Sequence, residues 1–311
     1  MRLPPMNSNH SAGDIIDRFR QVLAEAGLPA APETNFICDG LLHRFRVEGD
    51  KKGSRNGWYV LHLDGVPAGA FGSWRAGIAE NWCIKGQEQL TEDERRQLRE
   101  RMERAKAARQ SQLKQRHATA AQRARNMWQK AKPAAPDHPY LVKKQVSPHR
   151  ARQIGPALVL DIRDIQGQIS SLQFIQPDGA KKLLSGGAKQ ERFIPVTGVD
   201  GGDPETVLIC EGWATGATLA ASMPGALVLA AIDAGNLPAV AVATRQRWPG
   251  CDLIICGDDD RKTEGNPGAT AAKRAAELSA ARLALPEWPE GSPESLSDFN
   301  DLANWLNEVK P

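Results

Sequence analysis

The stretch LICEGWATGATLAAS, residues 208 to 222, places a carboxylate between a strand and a helix. An apolar run closes at Cys210, Glu211 and Gly212 follow, and small and apolar residues at helical spacing come next. A charge leaving a core strand is costly unless something uses it, although a helix N-terminus favours an anion there. The pattern recurs downstream. TVLICEG, ALVLAAI and CDLIICGDDD read as strands, with helices over 213–222, 237–248 and 267–281. RLALPE offers a fourth strand, and a last helix spans 298–309. Near-continuous apolar strands separated by helices indicate a parallel sheet covered on both faces. Such sheets bind ligands at the carboxyl ends of their strands, where Glu211 and Asp258, Asp259 and Asp260 fall.

Three consecutive acids repel one another, and a solvated turn is their simplest explanation. Side chains alternate in an extended segment, so Asp258 and Asp260 should share a side and Asp259 should face away. With Glu211 they make a hard-oxygen set suited to Mg²⁺ or Mn²⁺. In SLSDFNDLANWL, Ser297 or Asp298 can cap the final helix. Asp298 and Asp301 can also act as outer ligands of the same metal site.

Outward from this region the chain changes character several times. Its 311 residues suit two domains plus connecting material. Residues 1–90 read as a small α+β module: a helix over 14–27, then short alternating or aromatic segments between Gly, Asn and Asp. Residues 91–132 lack Gly and Pro and carry more basic than acidic residues, so a long basic helical connector is expected, as one helix or two. Thr91 with Glu94 makes a capping box for it. Residues 133–150 are Pro-rich, a linker or docking segment. Residues 151–204 form a basic β-rich lobe with strands near 157–162, 168–176, 181–184 and 192–196, and 205–311 form the α/β domain.

Several function classes are disfavoured by composition. No apolar run approaches the roughly 18 residues of a membrane span. The first residues contain no apolar signal core, which points to a cytoplasmic protein. Five cysteines form no C-x-x-C pair, against both a zinc ribbon and a disulfide framework. The net charge of +3 is mild, but basic side chains cluster. In the first module Phe45, Trp58, Tyr59, Phe71 and Trp74 lie among Arg44, Arg46, Arg55 and Arg75. Aromatic rings among arginines can stack on unpaired bases, at about 1–3 kcal/mol per base. The same rings can equally build the core of a small β domain, with His43 and His62 as structural residues.

The Glu-Gly after one strand and Asp-x-Asp after a later one resemble the TOPRIM domain of bacterial-type primases, topoisomerases and some nucleases. EGWATG is similar to the EGYATA motif of conjugative-plasmid primases and satellite-phage primase-helicases, with Trp213 for tyrosine and Gly216 for the last alanine. SDFNDL resembles the late acidic motif, and DIQGQISSLQFIQPDGAKKLLSGGAKQERFIP resembles the segment preceding the domain. The resemblance covers about 155–305 and touches 36–83.

It implies a TOPRIM-like parallel sheet flanked by helices, behind a mixed β lobe. It also implies a primase that makes short primers on single-stranded DNA from nucleoside triphosphates, with Mg²⁺ or Mn²⁺. Glu211, Asp258, Asp260 and Lys182 would be catalytic, and the three acids would hold metal with Asp298 and Asp301. Lys181, Lys182, Lys189, Arg192, Gly212 and Lys273 would bind nucleotide or DNA, as would Arg44, Trp58, Trp74 and Arg75 in the first module. A separately encoded helicase or relaxase would be the partner, and no membrane is involved. A topoisomerase needs a nucleophilic tyrosine, and Tyr59 and Tyr140 both lie outside the α/β region. A missing G-x-x-x-x-G-K-[ST] argues against an ATPase-linked nuclease and against a fused helicase. A metal-dependent nuclease and a non-catalytic single-strand-binding accessory protein remain as alternatives.

Overall fold

A computed structural model describes residues 11–85, 90–198 and 203–309, with the side chain of Glu94 outside the described set. The expected Thr91–Glu94 capping box therefore lies outside the described residues. The chain divides into two units, Met1–Ser111 and Gln112–Pro311.

In the first unit, helix α1 (Ala12–Glu25) starts at a capping box in which Ser11 and Asp14 satisfy each other's backbone amides. Its buried residues, Ile15, Phe19 and Leu23, recur at helical spacing. They cover one face of an antiparallel sheet of β1 (His43–Phe45), β2 (Gly57–His62), β3 (Ala68–Ser73) and β4 (Ile78–Cys83), paired in chain order. Phe19 makes edge contacts with Phe36, Tyr59, Phe71 and Trp82 at 5.2–5.9 Å. Of the five aromatics singled out here, Phe45, Tyr59 and Phe71 are core, whereas Trp74 is 52% exposed. Alternation explains the difference: Tyr59 and Leu61 point at α1, and Trp58, Val60 and His62 point the other way.

Helix α2 (Glu92–Lys130) is one unbroken helix of 39 residues that begins in the first unit and ends in the second. In the second unit its last turns bury Ala124 and Trp128 against Val159, Leu172 and Leu184. Val159 and Leu172 belong to, and Leu184 directly follows, an antiparallel sheet of β5 (Lys132–Pro133), β6 (Arg152–Ile154), β7 (Ala157–Arg163), β8 (Ile169–Ile175) and β9 (Lys181–Leu183). The Pro-rich segment is no free linker. It folds into β5 and α3 (Pro139–Lys144), and Tyr140 and Leu141 enter the main core. Pro139 suits the first helical turn and the His138 ring accepts the Tyr140 amide, so the prolines here set a helix start.

β10 (Ile194–Pro195), expected in the β lobe, instead joins the α/β sheet; beyond it the expected alternation follows: β11 (Thr206–Cys210), α4 (Trp213–Ser222), β12 (Leu227–Ala230), α5 (Leu237–Arg247), β13 (Asp252–Cys256), α6 (Pro267–Ser279), β14 (Arg282–Ala284) and α7 (Phe299–Glu308). The strand order is β10-β12-β11-β13-β14, parallel except for the edge strand β10. One face buries Leu237, Val240 and Ala272 of α5 and α6 against Val207, Ile209 and Ile255. The other packs Leu208 and Cys210 with Trp213 of α4 and with Leu158, Leu160 and Ile175 of the β lobe. The lobe and the parallel sheet thus share one core.

Candidate active site

Register brings the acids together. Cys210 pairs with Cys256 at the ends of adjacent parallel strands, so Glu211 and the 258–260 segment leave the sheet side by side. Asp258 sits deepest. Burial first, then the charges of Glu211, Asp298, Asp260 and Asp301, push its carboxyl up to about 8. Its Oδ1 is buried without a hydrogen-bond partner among the described residues. Glu211 is raised as well, by burial and then by Asp260 and Asp233, while the Ala234 amide and Lys181 pull it down. Asp260 accepts the Gly268 amide at the start of α6 (3.0 Å), and a Cβ on Gly268 would fall 2.8 Å from both Asp258 O and Asp260 Oδ2. That glycine keeps the space under the acids open.

Asp259 leaves this group, as alternation requires. It accepts from Asn266 Nδ2 (2.7 Å) and Trp288 Nε1 (2.8 Å), and its amide donates to Ser297 O. Its role is to hold the loop. Asp298 caps α7 by accepting the Asp301 amide at Oδ1, leaving its other oxygen without a hydrogen bond among the described residues. Asp301 is fully engaged: Oδ1 faces Lys144 Nζ at 3.4 Å and Oδ2 accepts the Ser297 amide. The second role foreseen for it, as a metal ligand, competes with both bonds.

Carboxylate oxygens, an orphaned Asp258 Oδ1 and a glycine-lined space fit a hard divalent cation. Among the described residues no three His, Cys, Asp or Glu side chains converge as a finished metal cage. The acids are an electrostatically coupled group.

The lysines separate by strand alternation. Lys181 pairs in register with Ile175, on the core side shared with the parallel sheet, and its charge reaches Glu211. Lys182 pairs with Phe174, which packs on the α2 side. Neighbouring residues of a strand point oppositely, so of the two lysines expected at the site Lys181 lies on the side of the acids and Lys182 on the side of α2. Lys189 is held by Asp233 at 2.5 Å. Arg192 donates to the Glu191 carbonyl, and its buried Nε has no partner among the described residues. Lys273 is exposed on α6 and makes no hydrogen bond or ion pair among the described residues. Gly212 has φ −103°, so it needs no left-handed conformation. A Cβ there would point into the space before Lys181 Nζ, 4.0 Å away. Gly216 is sterically required, since a Cβ would meet Val196 at 2.8 Å and Cys210 Sγ at 3.1 Å. Trp213 is a core residue, 1% exposed. Arg44, Trp58, Trp74 and Arg75 all belong to the first unit.

Two residues escaped the sequence reading. Asp233 lies three residues past the end of β12, in the turn that leaves the third parallel strand, and its charge reaches Glu211. Asn236 is buried; its Nδ2 faces the carbonyls of Lys189, Arg192 and Ala231 at 2.8–3.1 Å, and its Oδ1 accepts the Glu191 amide. It clamps the basic loop 189–192 to the end of β12. Beside Asp233, Ile232 has φ +79°, an uncommon conformation for a β-branched residue, which places about 1–3 kcal/mol of strain next to the acids. The signal for this cluster was IDAGN after an apolar strand.

Residues 206–305 match the family described as Toprim domain. Two proteins named DNA primase TraC, both from Escherichia coli, are 35% identical over 284 residues and 33% identical over 281. The alignments cover 88% and 87% of this chain but only 27% and 19% of those relatives, so the chain spans about a quarter or less of their length. The primase fragment of the bacteriophage T7 primase-helicase is similar with a TM-score of 0.38 at 16% identity, over 57% of this chain and 70% of that one, values too low to carry a conclusion.

Proposed function

We propose that this chain, whose residues 206–305 form a Toprim domain, is a DNA primase of the plasmid or phage type. In this reading it joins nucleotides into short primers on a single-stranded DNA template. Nucleoside triphosphates are the substrates, and a helicase or relaxase of the same element supplies the template. The observation that carries the reading is the acidic group at the ends of adjacent parallel strands, faced by Lys181 from the β lobe.

Primer extension forms a bond between a 3′-oxygen and an α-phosphorus and releases pyrophosphate. Asp258 and Asp260 are the side chains that would hold a divalent cation, with Asp298 Oδ2 available as an outer oxygen. The cation, when bound, screens the triphosphate and favours ionised carboxylates around it. Glu211 lies beside them with a raised proton affinity, suited to take the proton of the attacking hydroxyl. Lys181 holds a phosphate oxygen as a point charge. Asn236 is a positioning residue that keeps the 189–192 loop against the site. Burial of Cys210 and Cys256 raises both thiols, so neither acts as a nucleophile.

The test is incubation with circular single-stranded DNA, labelled ribonucleotides and Mg²⁺ or Mn²⁺. Short labelled oligomers are expected. Nicked circles without oligomers identify a nuclease, and binding without either product identifies an accessory protein; both overturn the proposal.

A further inference from the structure

We propose that the first unit carries its own single-stranded DNA site, on the sheet face turned away from α1 and beneath the start of α2. The inference goes beyond the primase reading and stands whether or not the acids of the second unit make primers.

The sheet is two-sided. Its inner face is filled by Phe45, Tyr59, Leu61 and Phe71. On its outer face Arg44 pairs with Trp58, and Trp58 with Gly72. The Trp58 indole packs against that glycine, since a Cβ on Gly72 would be 2.7 Å from the ring. Trp74 stands next to it, ring centres 6.0 Å apart and tilted by 42°, with the Arg44 guanidinium 4.5 Å from the Trp74 ring centre. Although these groups contact one another, Trp74 remains 52% exposed. An indole so placed does little for the core and offers an aromatic surface to a base.

A cleft of about 1300 Å³ opens between this outer face, Trp58 included, and the first turns of α2. The helix lines it with Arg96, Arg99, Arg101, Lys106 and Arg109, against the acids Glu92 and Glu103. Arg96 and Arg101 are neutralised by Asp93 and Asp64. Arg99 and Lys106 make no ion pair among the described residues, and Arg109 bonds only the Ala105 carbonyl of its own helix. Positions 99, 106 and 109 are seven and three residues apart, so these three cations share one stripe of α2, roughly 15 Å long at 1.5 Å per residue. A line of cations without ion pairs, across the cleft from Trp58 and its exposed neighbour Trp74, matches a polymer that presents phosphates along a chain and flat bases at its side. An acidic peptide would use the cations and leave the tryptophans idle.

The test titrates the full-length protein with fluorescently labelled oligothymidine by anisotropy, at salt from about 50 to 200 mM. The triple variant Arg99→Ala, Lys106→Ala, Arg109→Ala is expected to bind more weakly and to lose about 2 from the log–log salt slope, at about 0.7 per phosphate contact. Trp74→Ala is expected to weaken binding five-fold or more, and Trp74→Phe to restore most of it, with every melting temperature near wild type. Unchanged affinity and slope in the folded triple variant would overturn the proposal. So would a silent Trp74→Ala combined with polyglutamate competing as well as DNA of equal charge, which would make the cleft a peptide site.

Discussion

Replacing Asp258 with asparagine tests the electrostatics of the acidic group without disturbing its shape. In the folded chain the carboxyl ionises near 8, because it is buried and faces Glu211, Asp298 and Asp260. In the unfolded chain it ionises near 4. Between those values the folded state holds a proton that the unfolded state has lost, so metal-free stability must fall as pH rises and level off above the folded value. For one such group the loss from pH 6.0 to pH 8.5 is about 2–3 kcal/mol. Glu211, shifted in the same direction, also makes the folded state less stable as pH rises. The substituted amide carries no charge, and loss of the carboxylate also relieves Glu211, so Asp258→Asn should be nearly flat over the same range. At pH 8.5 it should be more stable than wild type by about 1–3 kcal/mol, the range reflecting a buried amide atom still without a partner. Urea denaturation with EDTA at both pH values measures this. Adding Mg²⁺ should then stabilise the wild type at pH 8.5 and leave Asp258→Asn nearly unchanged. A wild-type protein equally stable at pH 6.0 and 8.5, or a variant with the same slope, would refute the reasoning.

Lys181→Ala should reduce nucleotide incorporation ten-fold or more and Lys182→Ala less than three-fold, which parallel primer-synthesis assays resolve; the reverse ranking would mean that β9 is read on the wrong side. Asn236→Ala removes the clamp on the 189–192 loop and should destabilise the fold by about 2–3 kcal/mol in urea titrations, because buried carbonyls lose their donor. Asp259→Asn should cost about 1–2 kcal/mol of stability through its bonds to Asn266 and Trp288, yet retain synthesis when assayed well below its melting temperature.

The parallel sheet was legible because its strands are buried on both faces, which leaves almost unbroken apolar runs that end in acids. Side-chain alternation was enough to turn Asp259 away from Asp258. The same rule, applied to β9, would have chosen Lys181 over Lys182, but that choice needs to know which face of the lobe meets the parallel sheet. Strand order and the docking of Tyr140 and Leu141 were also hidden, since both depend on contacts between residues far apart in sequence. Prolines near 133–139 read as a linker or a docking segment, and the local signal that decides for docking is a helix start. Asp233 and Asn236 look like ordinary turn residues until their carbonyl and lysine partners are in place. In the first module, composition could not divide core aromatics from exposed ones, whereas the register of β2 and β3 divides them at once.

The central claim, that the acids at the strand ends make primers, is tested most directly by Glu211→Gln. The substitution keeps size and hydrogen bonding but removes the charge. Primer synthesis and oligothymidine affinity should be measured side by side at pH 7 in Mg²⁺. The account predicts unchanged DNA affinity with synthesis reduced at least a hundred-fold. Synthesis at the wild-type rate would contradict it and leave Glu211 as no more than a carboxylate at the start of a helix.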